Sequence, residues 1–224
     1  MPANNLYNHL IKNNIIGSEG ITTFTLKGIQ IKVQDVSVVG NIIQEWLGYY
    51  MDDNTLYYRI KDNTQEFPDF LLDENNSNTE NLLEVKAFIK SPNFDVANFT
   101  AYARSLRTHA YRLDAKYLIF EYGISPKNNG AIFIKNIWLK NVWEICCGSD
   151  RSPVKLQWKQ GDPVNIRPAT WYSNRAKFQP FQNKLEFVEA LYQVIRMSRL
   201  DQNIQNDWLN TVKRNYQETT NNPL

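Results

Sequence analysis

The stretch KYLIFEYGI, Lys116 to Ile124, leaves a folding chain the fewest choices. It is short and bounded for a helix, and its apolar residues fall on odd and even positions alike. Side chains of a strand alternate between two faces, so such a run needs cover on both sides. The chain must therefore build a sheet with further layers on each face, which at 224 residues is expected within a single domain spanning 1–224. With 42% hydrophobic and 13% aromatic residues against 21% charged, the composition is that of a globular protein.

The surroundings of this strand fill in the layers. NNLYNHLIKNN spaces Leu6, Leu10 and Ile11 as a helix, which Gly17 and Gly20 interrupt. ITTFTL and IQIKV, joined at Lys27-Gly28, read as a hairpin. Ser37 is placed to cap a helix with Val38, Ile42, Ile43 and Trp46 along its apolar stripe and Glu45 beside it. Two apolar runs around Phe70 and Leu83 follow, separated by a polar tract at 73–80.

A helix of about four turns is then predicted from Asn93 or Asp95, with Phe94, Ala97, Ala101, Leu106 and Ala110 among its polar residues. After Ile124, GAIFIKNIWLKNVWEICC supplies a strand and then an apolar stretch that no period assigns, and VKLQWK supplies a further short strand. From 161 to 181, with Pro163, Pro168 and Pro180, the chain reads as one long ordered loop. A helical tail runs from Asn183 to Tyr216, and QETTNNPL is expected to fray. The order strand, strand, helix, strand gives an α/β fold with a mixed central β-sheet flanked by α-helices.

Several function classes drop out. No apolar run has the length of a membrane span, and MPANNLYNHLIKNN lacks the pattern of a signal peptide, so a cytoplasmic protein is expected. The two cysteines, Cys146 and Cys147, are neighbours, and with two histidines there is no Cys/His zinc pattern. Net charge is +2, but its distribution is uneven: Asp52 to Glu84 is acidic, while lysine and arginine thicken after residue 104. An acidic centre in a more basic frame suits a metal-dependent enzyme acting on nucleic acid, as it suits many other proteins.

The acidic centre contains EFPDFLLDENNSNTENLLEVKAF, Glu66 to Phe88. Pro68 cannot donate to a ladder and belongs at a strand start, leaving Asp69 at that end. Glu84 and Lys86, two apart on a strand, share a face, and Val85 points the other way. If the two runs pair as a hairpin, Asp69, Glu84 and Lys86 converge. Two carboxylates alone would repel, and one would take a raised pKa. A divalent cation resolves the conflict: carboxylates, waters and the Val85 carbonyl are ligands of the type Mg²⁺ prefers. Such a group suits phosphodiester hydrolysis, with Lys86 orienting the nucleophile or steadying the charge that develops on phosphorus.

FPDF…LLEVKAF resembles the PD-(D/E)xK nuclease motif. Its setting, a hairpin followed by helix and strand over roughly residues 37–140, is similar to type II restriction endonucleases, of the EcoRV-like, blunt-cutting branch. The resemblance implies a restriction-endonuclease-like core, with Asp69 and Glu84 as metal ligands and Lys86 as the catalytic lysine. Glu45, in NIIQEW, matches an acidic residue that these enzymes often carry on a preceding helix. It also implies Mg²⁺ as cofactor, with Mn²⁺ substituting and Ca²⁺ supporting binding without cleavage. The reaction implied is in-line attack of water on double-stranded DNA, leaving 5′-phosphate and 3′-hydroxyl ends.

A symmetric DNA site favours a homodimer, because protein symmetry then matches site symmetry, with the first helix or the tail helices as candidate interfaces. A companion DNA methyltransferase is also implied. Within 161–181, Arg167, Trp171, Tyr172, Ser173, Asn174, Arg175, Lys177 and Gln179 are residue types that contact phosphates and base edges. Arg104 and Arg107, grouped with Tyr102 and Arg112, fit phosphate contacts or a plain basic helix face. Alternatives of the same fold are a DNA repair or junction-resolving nuclease, and a DNA-binding protein without catalysis. Asp69, Glu84 and Lys86 also fit an ordinary solvated edge of a sheet, and Glu45 an ordinary surface glutamate.

Overall fold

The computed structural model describes residues 2–33, 35–63, 66–125, 131–199 and 206–224, with only the backbone of Val36. In chain order the elements are α1 (Ala3–Lys12), β1 (Glu19–Ile21), β2 (Thr23–Leu26), β3 (Ile29–Lys32), α2 (Val39–Asp53), β4 (Phe70–Leu71) and β5 (Leu82–Ile89). They continue with β6 (Ala97–Asn98), α3 (Phe99–Leu106), β7 (Lys116–Ile124), β8 (Ala131–Asn141), β9 (Leu156–Lys159), β10 (Asp162–Ile166), α4 (Lys184–Met197) and α5 (Trp208–Thr220). Among the described residues no helix is long and apolar enough to cross a membrane.

The chain forms two compact units, one of Met1–Ser91 with Lys116–Leu139 and one of Pro92–Ala115 with Lys140–Leu224. The first holds a five-stranded sheet in the order β1-β8-β7-β5-β4. β5 pairs parallel with β7 and antiparallel with β4, so the sheet is mixed as the sequence implies. KYLIFEYGI is a central strand, and Tyr117 to Phe120 are buried on both of its faces. Over one face α1 and α2 bring Leu6, Leu10, Ile43, Leu47 and Met51 against Leu83, Val85, Leu118 and Phe120. Fully burying each such side chain is worth about 1.5–3 kcal/mol, so this face anchors the unit.

The second unit holds a three-stranded sheet, β6-β10-β9, with α3, α4 and α5. Trp208 is fully buried, its indole N–H donating to the Ala103 carbonyl at 2.6 Å while its ring stacks on Tyr192. Lys184 and Tyr216 both bond to Asp114, tying the start of α4 and the later turns of α5 to the segment just before β7 in a part-buried polar knot.

Several expectations need correction. α2 has no side-chain cap; the Ser37 amide donates instead to Asp35 Oδ1 at 2.8 Å, and a short 3-10 turn precedes the helix. Its buried stripe is Val39, Ile43, Leu47, Gly48 and Met51, rotated away from the exposed Val38 and Trp46. α3 begins only at Phe99, because Asn98 caps it by accepting from the Ala101 amide while Ala97 and Asn98 pair with β10.

Residues 161–181 are not all loop: Asp162–Ile166 forms β10, which accommodates Pro163 at a shift in register against β9. Gly20 sits inside β1. Helix α5 continues to Thr220, so all of QETT is helical, whereas residues 200–205 of the expected tail helix lie outside the described residues. Gly130, expected to open the strand of β8, also lies outside them.

Candidate active site

β4 and β5 form the antiparallel hairpin that the FPDF…LLEVKAF motif requires, with Phe70 opposite Leu83 and Leu71 opposite Leu82. The polar tract between them is fastened rather than loose. Asp73 is buried and accepts from the Ser77 amide at 3.0 Å and from Asn81 Nδ2 at 3.1 Å, and Arg59 donates to Asn78 Oδ1 and to the Ser77 carbonyl. A carboxylate accepting a backbone N–H a few residues on closes a turn without a ladder. That closure fixes the register, and the register decides which motif residues meet.

Pro68 and Asp69 directly precede β4. The Val85 amide donates to Asp69 Oδ2 at 2.7 Å, which docks Asp69 against the middle of β5. On the neighbouring positions Lys86 Nζ lies 2.8 Å from Glu84 Oε1. Glu84 is 9% exposed, and its second oxygen, Oε2, is buried with no hydrogen-bond partner among the described residues. A buried carboxylate oxygen left without a donor is expensive, so its persistence calls for a ligand.

Burial raises the Asp69 pKa to about 7, with the Glu84 charge adding to the rise, while the Val85 amide and the Lys86 ammonium oppose it. Two carboxylates that cannot comfortably be ionised together, one with an oxygen unsatisfied, form a donor set suited to a hard divalent cation. Among the described residues no three His, Cys, Asp or Glu side chains gather around one point. A cation held by Asp69 and Glu84 would therefore draw its other ligands from the Val85 carbonyl, water or a substrate oxygen, as Mg²⁺ commonly does.

Glu45, on α2, lines a cavity of about 770 Å³ whose wall also includes Pro68 and Asp69. The same wall carries Asn41, Gln44, Asp52, Tyr58 and Lys61, which the sequence reading missed. Tyr58 donates to Asp52 Oδ2 at 3.0 Å, and Lys61 to the Phe67 carbonyl at 2.7 Å. Asn41, Gln44, Glu45 and Asp52 recur at helical spacing beside the buried stripe of α2, a polar face that the periodicity contained.

The residues expected to read DNA lie in the other unit, and their surroundings differ. Arg167 is engaged by Asp95 at 2.7 Å, the Asn93 carbonyl and Gln157. Lys177 pairs with Asp150, and Gln179 donates to the Ala176 carbonyl. Trp171 packs edge-on against Tyr172 and lies tilted beside Phe94. Asn174 and Arg175 are exposed at a turn where the Ser173 hydroxyl accepts from the Arg175 amide. Arg104 is exposed on α3 and Arg107, just past its end, is half-buried, whereas Tyr102 is buried, so it does not belong to a basic surface cluster.

Comparison with known proteins bears on the whole chain. The family model for NgoBV restriction endonuclease matches residues 1–224. The chain belongs to this restriction endonuclease family. The type II restriction enzyme NlaIV of Neisseria lactamica is 39% identical over 199 residues, covering 87% of this chain and 81% of the relative. The type II restriction enzyme NgoBV of Neisseria gonorrhoeae is 32% identical over 170 residues, covering 71% and 91%. The solved structure of NlaIV restriction endonuclease superposes with a TM-score of 0.92 at 34% identity, covering all of this chain and 92% of that one. Membership makes the chain a type II restriction endonuclease and gives its mixed α/β fold a solved counterpart.

Proposed function

We propose that this restriction endonuclease hydrolyses phosphodiester bonds of double-stranded DNA at a specific sequence, with Mg²⁺ as its cofactor, leaving 5′-phosphate ends. The observation that supports this most is the convergence of Asp69, Glu84 and Lys86 on one hairpin, with Glu84 Oε2 buried and lacking a donor. Asp69 and Glu84 would hold the cation, with the Val85 carbonyl as a further oxygen. Bound there, Mg²⁺ would lower the pKa of a water and offset the charge that develops on phosphorus.

The protein's own residues do the rest. The Val85 amide keeps Asp69 oriented toward β5. Lys86 neutralises Glu84 and presents a cation beside it, where it can orient the attacking water and stabilise the scissile phosphate. Glu45, on the wall shared with Asp69, is the residue to take up or position a proton or a second ion there. Mn²⁺ should replace Mg²⁺, and Ca²⁺ should support DNA binding without cutting.

For sequence reading, the exposed Asn174 and Arg175 are the candidates for base edges, in the manner of Asn with adenine and Arg with guanine. Arg104, Arg107 and Lys177 fit phosphates, Tyr172, Ser173 and Gln179 flank the reading turn, and Arg167 with Trp171 supports it. The enzyme works as a homodimer, one active site for each DNA strand, in the cytoplasm beside a methyltransferase that protects the same site.

Incubating the purified protein with unmethylated bacteriophage DNA in Mg²⁺, in Ca²⁺ and in chelator tests this reading. Discrete bands in Mg²⁺ alone are expected. A smear would point to a nonspecific or repair nuclease, and intact DNA in every lane would refute the catalytic assignment.

A further inference from the structure

The wall of the catalytic cavity is unevenly charged. Glu45, Asp52 and Asp69 line it, and among the described residues on that lining Lys61 is the single cation. Lys61 arrives there by register. Arg59 and Leu71 exchange both backbone hydrogen bonds, at 2.8 and 2.9 Å, which sets a further antiparallel edge beside β4. Residues directly opposite on such an edge share a face, so continuing the register by two places Lys61 across from Asp69. The Lys61 ammonium donates to the Phe67 carbonyl at 2.7 Å, and Phe67 precedes Asp69 by two residues. Two residues of chain span at most roughly 7 Å, a distance comparable to the step between successive phosphates of one DNA strand.

We propose that Lys61 binds a DNA phosphate that flanks the scissile one, and so sets how far along its strand the substrate sits over Asp69 and Glu84. The proposal rests on the nuclease reading above. A cation at Asp69 and Glu84 offsets those two carboxylates, but Glu45 and Asp52 still face an incoming strand in which every nucleotide carries a negative charge. A lysine in the same wall is the group that admits a second phosphate. Its acidic neighbour is readily exchanged: Glu66 stands 3.9 Å from Nζ and is 59% exposed, and an exposed pair of that length holds weakly. The Lys61 side chain is itself only 24% exposed, so a phosphate bound there meets less competing water than on an open lysine, and the Phe67 carbonyl keeps the ammonium in place. Lys86 has a different task, since it sits on β5 against Glu84 and acts at the scissile phosphate. A mere latch on the Phe67 carbonyl would need a donor at position 61 but no charge, and that difference is what substitution reads.

Lys61→Gln keeps a donor for that carbonyl and loses the charge, whereas Lys61→Arg keeps both. Binding of the full chain to a short DNA duplex in Ca²⁺, titrated with NaCl, gives the first readout. The slope of log affinity against log salt should fall by about 0.9 per chain in Lys61→Gln, and affinity at low salt should drop roughly 10-fold, while Lys61→Arg matches wild type. The second readout uses a duplex carrying the mapped cut site, in which an uncharged methylphosphonate replaces the phosphate on either side of the scissile one in turn. At one of the two positions it should cost wild type roughly 10-fold in affinity and Lys61→Gln no more than about 2-fold, because that contact is already gone. If Lys61→Gln loses its folded circular dichroism spectrum, Lys61→Met, which keeps the stem, replaces it with the same expectation.

Equal slopes for wild type and Lys61→Gln overturn the proposal, as does a methylphosphonate cost that survives in Lys61→Gln at both positions, or Lys61→Arg with the slope of Lys61→Gln. Discrete bands from the wild type in Mg²⁺ would leave the nuclease reading standing in each of those cases. A wild type that shows the expected change of slope but never cuts would sink the nuclease reading and keep Lys61 as a phosphate contact. A chain that binds no DNA in either cation sinks both.

Discussion

Asp69→Asn removes a carboxylate that burial and the neighbouring Glu84 keep protonated up to about pH 7, against an ordinary value of 3.8. In the native state Asp69 retains a proton that the unfolded chain releases near 3.8, so the native state binds more protons between these values. Stability from this group is complete below the unfolded pKa, falls as pH rises toward 7, and changes no further above it. About three units at 1.36 kcal/mol each set a ceiling of about 4 kcal/mol on the cost of ionised Asp69 at pH 8. Asn keeps an oxygen for the Val85 amide and carries no charge.

The variant should therefore be more stable than wild type by about 2–4 kcal/mol at pH 8 in chelator, and nearly equal to it at about pH 3, where Asp69 is neutral in the folded and unfolded chain alike. Urea unfolding at the two pH values, with slopes compared, reads this directly. Mg²⁺ should then raise the pH 8 midpoint of wild type by mass action and leave Asp69→Asn nearly unmoved. A difference of equal size at both pH values, or a variant less stable at pH 8, would refute the account of a carboxylate held for a cation.

Lys86→Ala should cut cleavage by roughly 10²- to 10⁴-fold while DNA binding in Ca²⁺ persists; turnover at the wild-type rate would move catalysis away from this strand. Trp208→Ala should destabilise the protein by about 3–5 kcal/mol in chemical unfolding, since it removes a fully buried ring and the Ala103 hydrogen bond. Arg175→Ala should change DNA affinity or sequence preference with the thermal midpoint unmoved. Arg167→Ala should lower that midpoint as well, because it breaks the contacts to Asp95, Asn93 and Gln157; equal midpoints for the two variants would deny Arg167 its supporting role.

The strands were the most legible part of the fold. Glu-Val-Lys inside an apolar run, Pro-Asp ahead of another and KYLIFEYGI with its doubly buried pattern are local signals, and each lies where alternation puts it. Helix facing was less legible. Val38 and Trp46 fit the period of α2, but the direction of its stripe depends on what α1 and the sheet place against it, and that lies elsewhere in the chain. The start of α3 was legible only in part: Asn98 is a good cap, yet the ladder that holds Ala97 and Asn98 comes from β10, far downstream. Pro163 read as a loop because proline suits loops, and a register shift lets a strand carry it. In the site, the polar face of α2 was present as spacing but was passed over for a single acid, Glu45.

Strand β5 ties these levels together. Leu83, Val85, Ala87 and Ile89 face the helical layer, alongside Leu118, Phe120 and Tyr122 of β7. Glu84, Lys86 and Phe88 take the opposite face, where Phe88 stacks on Trp138 at 5.9 Å. A slip of one residue would put a carboxylate and an ammonium against Leu47 and Met51 and turn two leucine-sized side chains out, at a cost of several kcal/mol for the charges alone. The parallel pairing that keeps Val85 opposite Leu118 therefore also keeps Glu84 and Lys86 on the face where Asp69 meets the Val85 amide. Core burial fixes the strand, and the strand then holds two carboxylates closer together than their charges would choose. The strain left on Asp69 and on Glu84 Oε2 is what a cation would relieve, so the packing that stabilises the unit also sets up the pair that the proposed Mg²⁺ would occupy.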